Sequence, residues 1–153
     1  MPMINLSAVS VGMLKFLLVS NPDQRLRYAY YFDHVPNEER QELSNALIAK
    51  CFARSPSSCS FINHKDFSVV YRKIGSLMFI IGTDGNENNL AVYEFIRAFV
   101  DVLDIYFTGV TEKHIIANHH KIHFILQQMV SNGSIVDTNI SNVLAPVRAY
   151  DSA

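Results

Sequence analysis

Cysteine is scarce in this chain: 153 residues carry only Cys51 and Cys59. Two cysteines with no CxxC spacing signal neither a disulfide scaffold, a structural zinc site nor a redox pair, so a reduced cytosolic protein is the expectation. Charge is scarce as well. Charged residues make up 18% of the chain, and 13 basic against 14 acidic residues leave a net charge of −1. Ordinary soluble domains carry roughly 25% charge, and so neutral a balance argues against a nucleic-acid binder acting through bulk charge. No uncharged apolar run approaches the roughly 18 residues of a membrane span. The first twenty residues lack a basic start and are interrupted by Lys15, so no signal peptide is expected. Pro2 stands where myristoylation needs glycine, and the last residues offer no cysteine for prenylation. Repeats and low-complexity stretches are absent. So are the G-x-S-x-G elbow, the P-loop and the G-x-G-x-x-G fingerprint, so the sequence gives no motif for nucleophilic hydrolysis or nucleotide binding.

What the chain has in quantity is apolar residues, 49% of the total. At this length that is one domain with a substantial core. Residues 1–12 show no period and read as a loose, flexible extension. Met13–Ser20 reads as a strand, Asn21-Pro22-Asp23-Gln24 as a turn. Arg25–Phe32 alternates, with Leu26, Tyr28, Tyr30 and Phe32 facing one way, which makes a second strand and a hairpin. A helix capped by Asn37, with Glu38 and Glu39 in its first turn and Leu43, Leu47 and Cys51 on its apolar face, runs to about Arg54 before Ser55-Pro56. Three strands follow, Cys59–Asn63, Phe67–Lys73 and Ser76–Gly82. The last is continuously apolar and reads as a central strand covered on both faces. The polar loop Asp84–Asn89 can cap a helix over Leu90–Phe107. In that helix Glu94, Arg97, Asp101 and Asp104 share an arc of about 80° and almost everything else is apolar. Such a helix is either the core helix or is buried against a second protein as well. Thr111 caps a last long helix from Glu112 to about Val130, ended by Asn132-Gly133 with glycine at a left-handed C-cap. The stretch after Ile135 has apolar pieces but no caps. The order predicts one α/β (α+β) layered domain, a five-stranded antiparallel meander between helices.

Chemistry-bearing clusters are few. His114, His119, His120 and His123 crowd the last helix, and His119 and His123 have an i, i+4 spacing that can hold a metal. No acidic or cysteine ligand accompanies them, so a polar, solvated helix face is the simpler reading. Glu94, Asp101 and Asp104 share their face with Arg97, which suggests an ion-paired stripe rather than an acid/base pair. Cys51 has the apolar spacing of its helix and is expected to be buried and inert. What remains is a domain with surplus apolar surface, the signature of a subunit or peptide-binding module.

Three segments, CSFINHKDFSVVYRK (59–73), AVYEFIRAFVDVLDIYF (91–107) and MVSNGSIVDTNISNVLAP (129–146), resemble the small, or sigma, subunits of adaptor protein complexes. The motifs occur in order and with the right spacing, and the resemblance runs from Met13 to about Val147. CFARSPSSCSF (51–61), AVYEFI (91–96) and NGSIVDTN…LAP (132–146) point within the family to the fourth adaptor complex. The family usually begins at the residue that Met13 matches, which leaves 1–12 as an extension, or Met13 as the true start, with 13–147 as the domain and 148–153 as a tail. The resemblance implies a longin-like fold, a five-stranded antiparallel sheet sandwiched by helices. It implies no enzymatic activity and no cofactor. It also implies permanent packing on a large adaptin, in a four-chain coat complex with a second large subunit and a medium subunit. That complex would sort cargo in vesicle-mediated transport at the trans-Golgi network or endosomes, peripheral on the membrane. Some sigma chains hold the acidic dileucine signal of cargo tails, [DE]xxxL[LI]. By matching positions, the pocket would be lined by Leu77, Val100, Val110 and Ile115 with Gly75 at its rim, and Arg27 would meet the acidic residue. Where the family commonly has E-L-D-L-x-F-N, this chain has Glu112-Lys113-His114-Ile115-Ile116-Ala117-Asn118, and Gly109 replaces a common Asn. The pocket lip is therefore expected to differ in shape and charge. The alternatives are a sigma chain of a clathrin-associated adaptor and a free longin module regulating a small GTPase or a SNARE.

Overall fold

The computed structural model describes residues 13–85, 88–131 and 133–152, so the expected extension, residues 1–12, lies outside the described residues. Strands β1 (Leu14–Ser20) and β2 (Leu26–Tyr31) form the expected hairpin. Asn21 makes its turn: Oδ1 accepts the backbone N–H of Asp23 at 3.0 Å and of Arg25 at 2.9 Å, an Asx arrangement. Helix α1 spans Asn37–Phe52, and here the expected cap is corrected: Pro36 occupies the N-cap position without a side-chain bond and Asn37 is already helical. Strands β3 (Phe61–His64), β4 (Phe67–Ile74) and β5 (Leu77–Thr83) follow as hairpins. β3 begins later than expected because the Cys59 carbonyl is drawn out of the ladder. It accepts from Arg54 Nη2 at 2.7 Å and from the Tyr71 hydroxyl at 3.2 Å.

All four pairings are antiparallel, in the order β2-β1-β5-β4-β3. The expected simple meander is thus corrected, since the chain passes through α1 and places β1 beside β5. Composition explains the choice. All seven residues of β5 are buried, and so are six of the seven in β1. The two most apolar strands therefore take the middle, and the more polar β2 and β3 take the edges.

Helix α2 spans Asn89–Phe107 and is capped by Asn88, whose Oδ1 accepts from Leu90 N at 3.0 Å and Ala91 N at 3.3 Å. The expected long helix after Thr111 is broken into α3 (Glu112–Ala117) and α4 (His119–Met129). Asn118 breaks it: its Nδ2 donates to the His114 carbonyl at 2.9 Å, the acceptor that its own backbone N–H would use in a continuous helix. The expected glycine C-cap is also corrected. α4 ends at Val130 in extended conformation, and Gly133 sits at φ 80° in the turn of a short hairpin, β6 (Val130–Ser131) with β7 (Ser134–Ile135). Gly133 has a packing reason to be glycine. Its carbonyl accepts from Leu14 N at 2.7 Å, and a Cβ there would stand 2.9 Å from the Leu14 carbonyl oxygen. The apolar pieces after Ile135 form a fifth helix, α5 (Ile140–Ser152), which runs on through the stretch set aside as a tail.

Two cores result. On one face of the sheet, among the described residues, α1 packs Leu43, Leu47, Ile48 and Cys51 onto Phe16, Leu18, Val69, Tyr71, Met78 and Ile80. On the other face α2, α3, α4 and α5 bury the opposite side chains of β1, β4 and β5, among them Leu17, Val70, Phe79 and Ile81.

Candidate peptide-binding and assembly site

The residues singled out by the sequence gather around the start of β5, the middle of α2 and the turn into α3. Gly75 turns β4 into β5 at φ 61°, with no atom within 4 Å of where a Cβ would stand, so it leaves an open rim. Leu77 opens β5. Val100 projects from the buried side of α2 and Ile115 from that of α3. All three belong to the same apolar core, with Val110 half-buried against it. Exposures of 4% for Leu77, 2% for Val100 and 1% for Ile115 make these residues a closed wall. Only Val110 and Gly75 reach the surface.

The turn that carries Val110 is held by Asp104. Its Oδ1 accepts Val110 N at 2.9 Å, while its backbone carbonyl accepts Gly109 N at 2.8 Å. Thr108 and Gly109 pass through left-handed conformations at φ 57° and φ 95°. α3 then starts from a capping box. The Thr111 hydroxyl accepts from His114 N, and His114 Nδ1 accepts Thr111 N at 3.0 Å. His114 also stacks on Phe107, with ring centroids 5.0 Å apart. The histidine that departs from the family pattern thus serves as the N3 residue of the cap.

Arg27 does not stand free. Its Nε lies 2.8 Å from Glu112 Oε2, and the same carboxylate oxygen accepts from Asn21 Nδ2 at 3.0 Å. Asn21 is 3% exposed. Turn β1–β2, strand β2 and the first turn of α3 are therefore joined through one carboxylate. Sequence reasoning missed Glu112 as the partner of Arg27. Nothing local signals a pair 85 positions apart, although the polar Asn21 inside an apolar hairpin was a hint.

The solvated histidine face is corrected in part: His119 and His120 are exposed, but His119 and His123 also contact β2. The Tyr28 hydroxyl bonds His123 Nδ1, the His123 ring stands edge-on to Tyr28 and Tyr30, and His119 Nε2 lies 3.0 Å from the Arg27 carbonyl oxygen. Burial pushes the Tyr28 phenol up, and burial followed by the nearby His119 and His120 holds His123 below the usual histidine range. Among the described residues no group of three His, Cys, Asp or Glu could hold a metal. Cys51 is buried as expected, its thiol pushed up to about 12 by burial and so protonated and unreactive. The acidic stripe on α2 is ion-paired as expected, with Arg97 Nη2 2.8 Å from Asp101 Oδ1 and 3.9 Å from Asp104 Oδ2.

The outer surface keeps large apolar side chains in water. Leu90 is 60% exposed, Ile105 51%, Ile116 48% and Tyr150 65%. Among the described residues no helix is long and apolar enough to cross a membrane.

Comparison with known proteins gives these features a context. The family described as "Clathrin adaptor complex small chain" matches residues 13–153. The human "AP-4 complex subunit sigma-1" is 43% identical over 91% of this chain and 96% of its own length. The Arabidopsis thaliana "AP-4 complex subunit sigma" is 39% identical over 92% and 98%, and the human "AP-1 complex subunit sigma-1A" is 33% identical over 91% and 88%. Among structures, a chain of "Homology model of the full-length AP-3 complex in a stretched open conformation" superposes with a TM-score of 0.73 at 23% identity, over 92% of this chain and 94% of that one. At that identity the likeness concerns the fold alone, and it is the five-stranded layered fold described above. The chain belongs to the clathrin adaptor complex small chain family, whose members are structural subunits of adaptor complexes and not enzymes.

Proposed function

We propose that this chain is the sigma subunit of an adaptor complex of the fourth type. In this reading it packs permanently on a large adaptin beside a second large subunit and a medium subunit. It sorts cargo into vesicles at the trans-Golgi network or endosomes, held at the membrane through the complex. The observation that carries the choice of type is the higher identity to the AP-4 sigma chains, 43% and 39%, than to the AP-1 sigma chain at 33%. The exposed Leu90, Ile105, Ile116 and Tyr150 support a partner. An obligate interface resembles a core cut in half and would take such side chains out of water.

We infer further that Leu77, Val100, Val110 and Ile115, with Gly75 at the rim, receive the paired leucines of an acidic dileucine signal, and that Arg27 meets the upstream acid. Each leucine buried contributes roughly 1.5–3 kcal/mol, and that gain must exceed the cost of moving the closed wall. Arg27 already neutralises Glu112, so a cargo carboxylate competes with an internal one and adds selectivity more than affinity.

Native affinity purification of the tagged chain tests the assembly. Recovery of two large adaptins and a medium subunit in equal amounts is expected. Recovery of the chain alone, or with only a small GTPase, would overturn the reading in favour of a free longin module. Titration of the complex with a dileucine peptide tests the pocket. Binding is expected to vanish in Val100→Asp and to strengthen several-fold in Glu112→Gln. Unchanged binding in Val100→Asp would refute the pocket while leaving assembly intact.

A further inference from the structure

At the sheet edge that β3 leaves open, a cleft of about 420 Å³ runs from the end of α1 to Tyr93 of α2. β3 does not extend far enough to cover β4 beyond Tyr71. The cleft is lined by Cys51, Arg54, Ser55, Arg72, Lys73 and Tyr93, among others, and no carboxylate is among its lining residues. Two of its three cations are fixed in place. Arg54 donates Nε to the Tyr71 hydroxyl at 2.8 Å and Nη2 to the Cys59 carbonyl at 2.7 Å. Arg72 lies over the Tyr93 ring, 4.1 Å from its centroid, and donates Nη1 to the Tyr93 carbonyl at 3.2 Å. Each guanidinium has five N–H donors, so both keep donors unspent. Glu94 stands 4.0 Å from Arg72 and is 63% exposed. Lys73 is exposed on the same rim. A cleft with preset cations and no carboxylate lining suits a compact dianion.

The lip of this cleft carries such a group's natural attachment point. The loop after α1 reads Arg54-Ser55-Pro56-Ser57-Ser58, and Ser55 and Pro56 are both exposed. The Ser55 hydroxyl bonds only its own loop, the Ser57 hydroxyl at 2.9 Å and Ser57 N at 3.2 Å. Ser55 is the one serine in the chain followed by proline. We propose that Ser55 is a phosphorylation site for a proline-directed protein kinase, and that Arg54, Arg72 and Lys73 hold the phosphoryl group. In the transfer, Ser55 Oγ attacks the γ-phosphorus of ATP and the Oγ–P bond forms. The bond from that phosphorus to the β,γ-bridging oxygen breaks, and ADP leaves with the electron pair. The hydroxyl proton passes to the kinase's base. The phosphate adds close to two negative charges and three acceptor oxygens, which turns the loop from a self-bonded turn into a segment tied to β4.

The test uses the full chain in the assembly in which it is purified, a proline-directed kinase with Mg-ATP, and site mapping by mass spectrometry. One phosphoryl group on Ser55 is expected, and none in Ser55→Ala. A ³¹P titration of the product then reads the cleft. A free phosphoserine takes up its second proton near pH 6. Nearby cations are expected to lower that midpoint by roughly one unit, and Lys73→Ala, which removes an exposed side chain, to bring it part of the way back. No incorporation at Ser55, incorporation at another serine instead, or a midpoint equal to the free value and indifferent to Lys73→Ala would each overturn the proposal.

Discussion

The two faces of the sheet are built differently. Among the described residues the α1 face is thin: one helix, without a side-chain cap bond at its start, buries a small set of residues. The other face is thick, four helices deep in sequence, and holds Phe79, Phe95 and Phe99 in a run of ring contacts at 6.3 Å. The comparison teaches how one small domain divides its labour. The thick face carries the stability and the residues matched to a peptide pocket. The thin face keeps one helix and its following loop close enough to solvent to be altered without disturbing the rest.

The sharpest way to break this comparison is to hollow the thick face. Phe99 is 1% exposed, and Phe99→Ala should cost about 3–5 kcal/mol, read as the shift in a denaturation midpoint. A loss well under half that size would mean the thick face is not the foundation of the fold. On the thin face the matching probe is additive. Gly82 pairs with Phe16, whose ring lies where a Cβ would stand, 2.1 Å from Phe16 Cζ. Phe16 is fully buried and packs edge-on to Phe67 at 5.1 Å, so it has little room to yield. Gly82→Ala should cost about 1–3 kcal/mol of overpacking, and its effect should be confined to signals from α1 and its neighbours.

Amide exchange measures the division directly. The interior amides of α1 should exchange through a smaller opening than those of α2, because fewer buried contacts must be broken to release α1. Equal protection would merge the two faces into a single cooperative unit. The smallest expected effect concerns acid. His123 is held below the usual histidine range in the folded chain, first by burial. Above about pH 6.5 it is neutral folded or unfolded and contributes no pH dependence. As pH falls below that, the unfolded chain takes up the proton first and stability declines. His64, lowered first by burial and then by Lys50 and Lys65, works in the same direction on the β3 edge. His123→Asn should flatten part of the melting-temperature slope between pH 7 and 5.5, and an unchanged slope would assign it to other groups.

Much of this was legible in the sequence where one local principle ruled. The alternation of Leu26 to Phe32, the unbroken apolar run of β5, the capping loop before α2 and the Thr111 cap each reported local physics, and β2, β5, α2 and that cap formed as read. The failures have two causes, a local side-chain bond or proline that masks the helix signal and a distant partner that decides the arrangement. Asn118 looks helical until its side chain takes the His114 carbonyl. Strand order depends on which apolar strands meet, which no hairpin signal encodes. α5 hid behind Pro146, a helix breaker in most contexts. Yet Asn139, whose Oδ1 accepts Asn142 N at 3.0 Å, followed by Val143, Leu144 and Val147 at helical spacing, was its signature. At the candidate site the apolar lining was readable from matching positions, but its closure and the pairing of Arg27 with Glu112 were not, because both arise only when α3 folds back on β2.

The late position of α5 has a consequence for how the protein is made. α5 lays the fully buried Val143, Leu144 and Val147 onto the thick face. Its Asp151 ties together Lys121 of α4 and Tyr106 of α2. During synthesis α5 leaves the ribosome after every element it covers. Until then α2 and α4 present uncovered apolar side chains, the kind of surface that chaperones and proteases survey. A nascent chain halted before Ile140 would already contain the whole five-stranded sheet and the residues matched to the pocket, yet its thick face would stay uncovered.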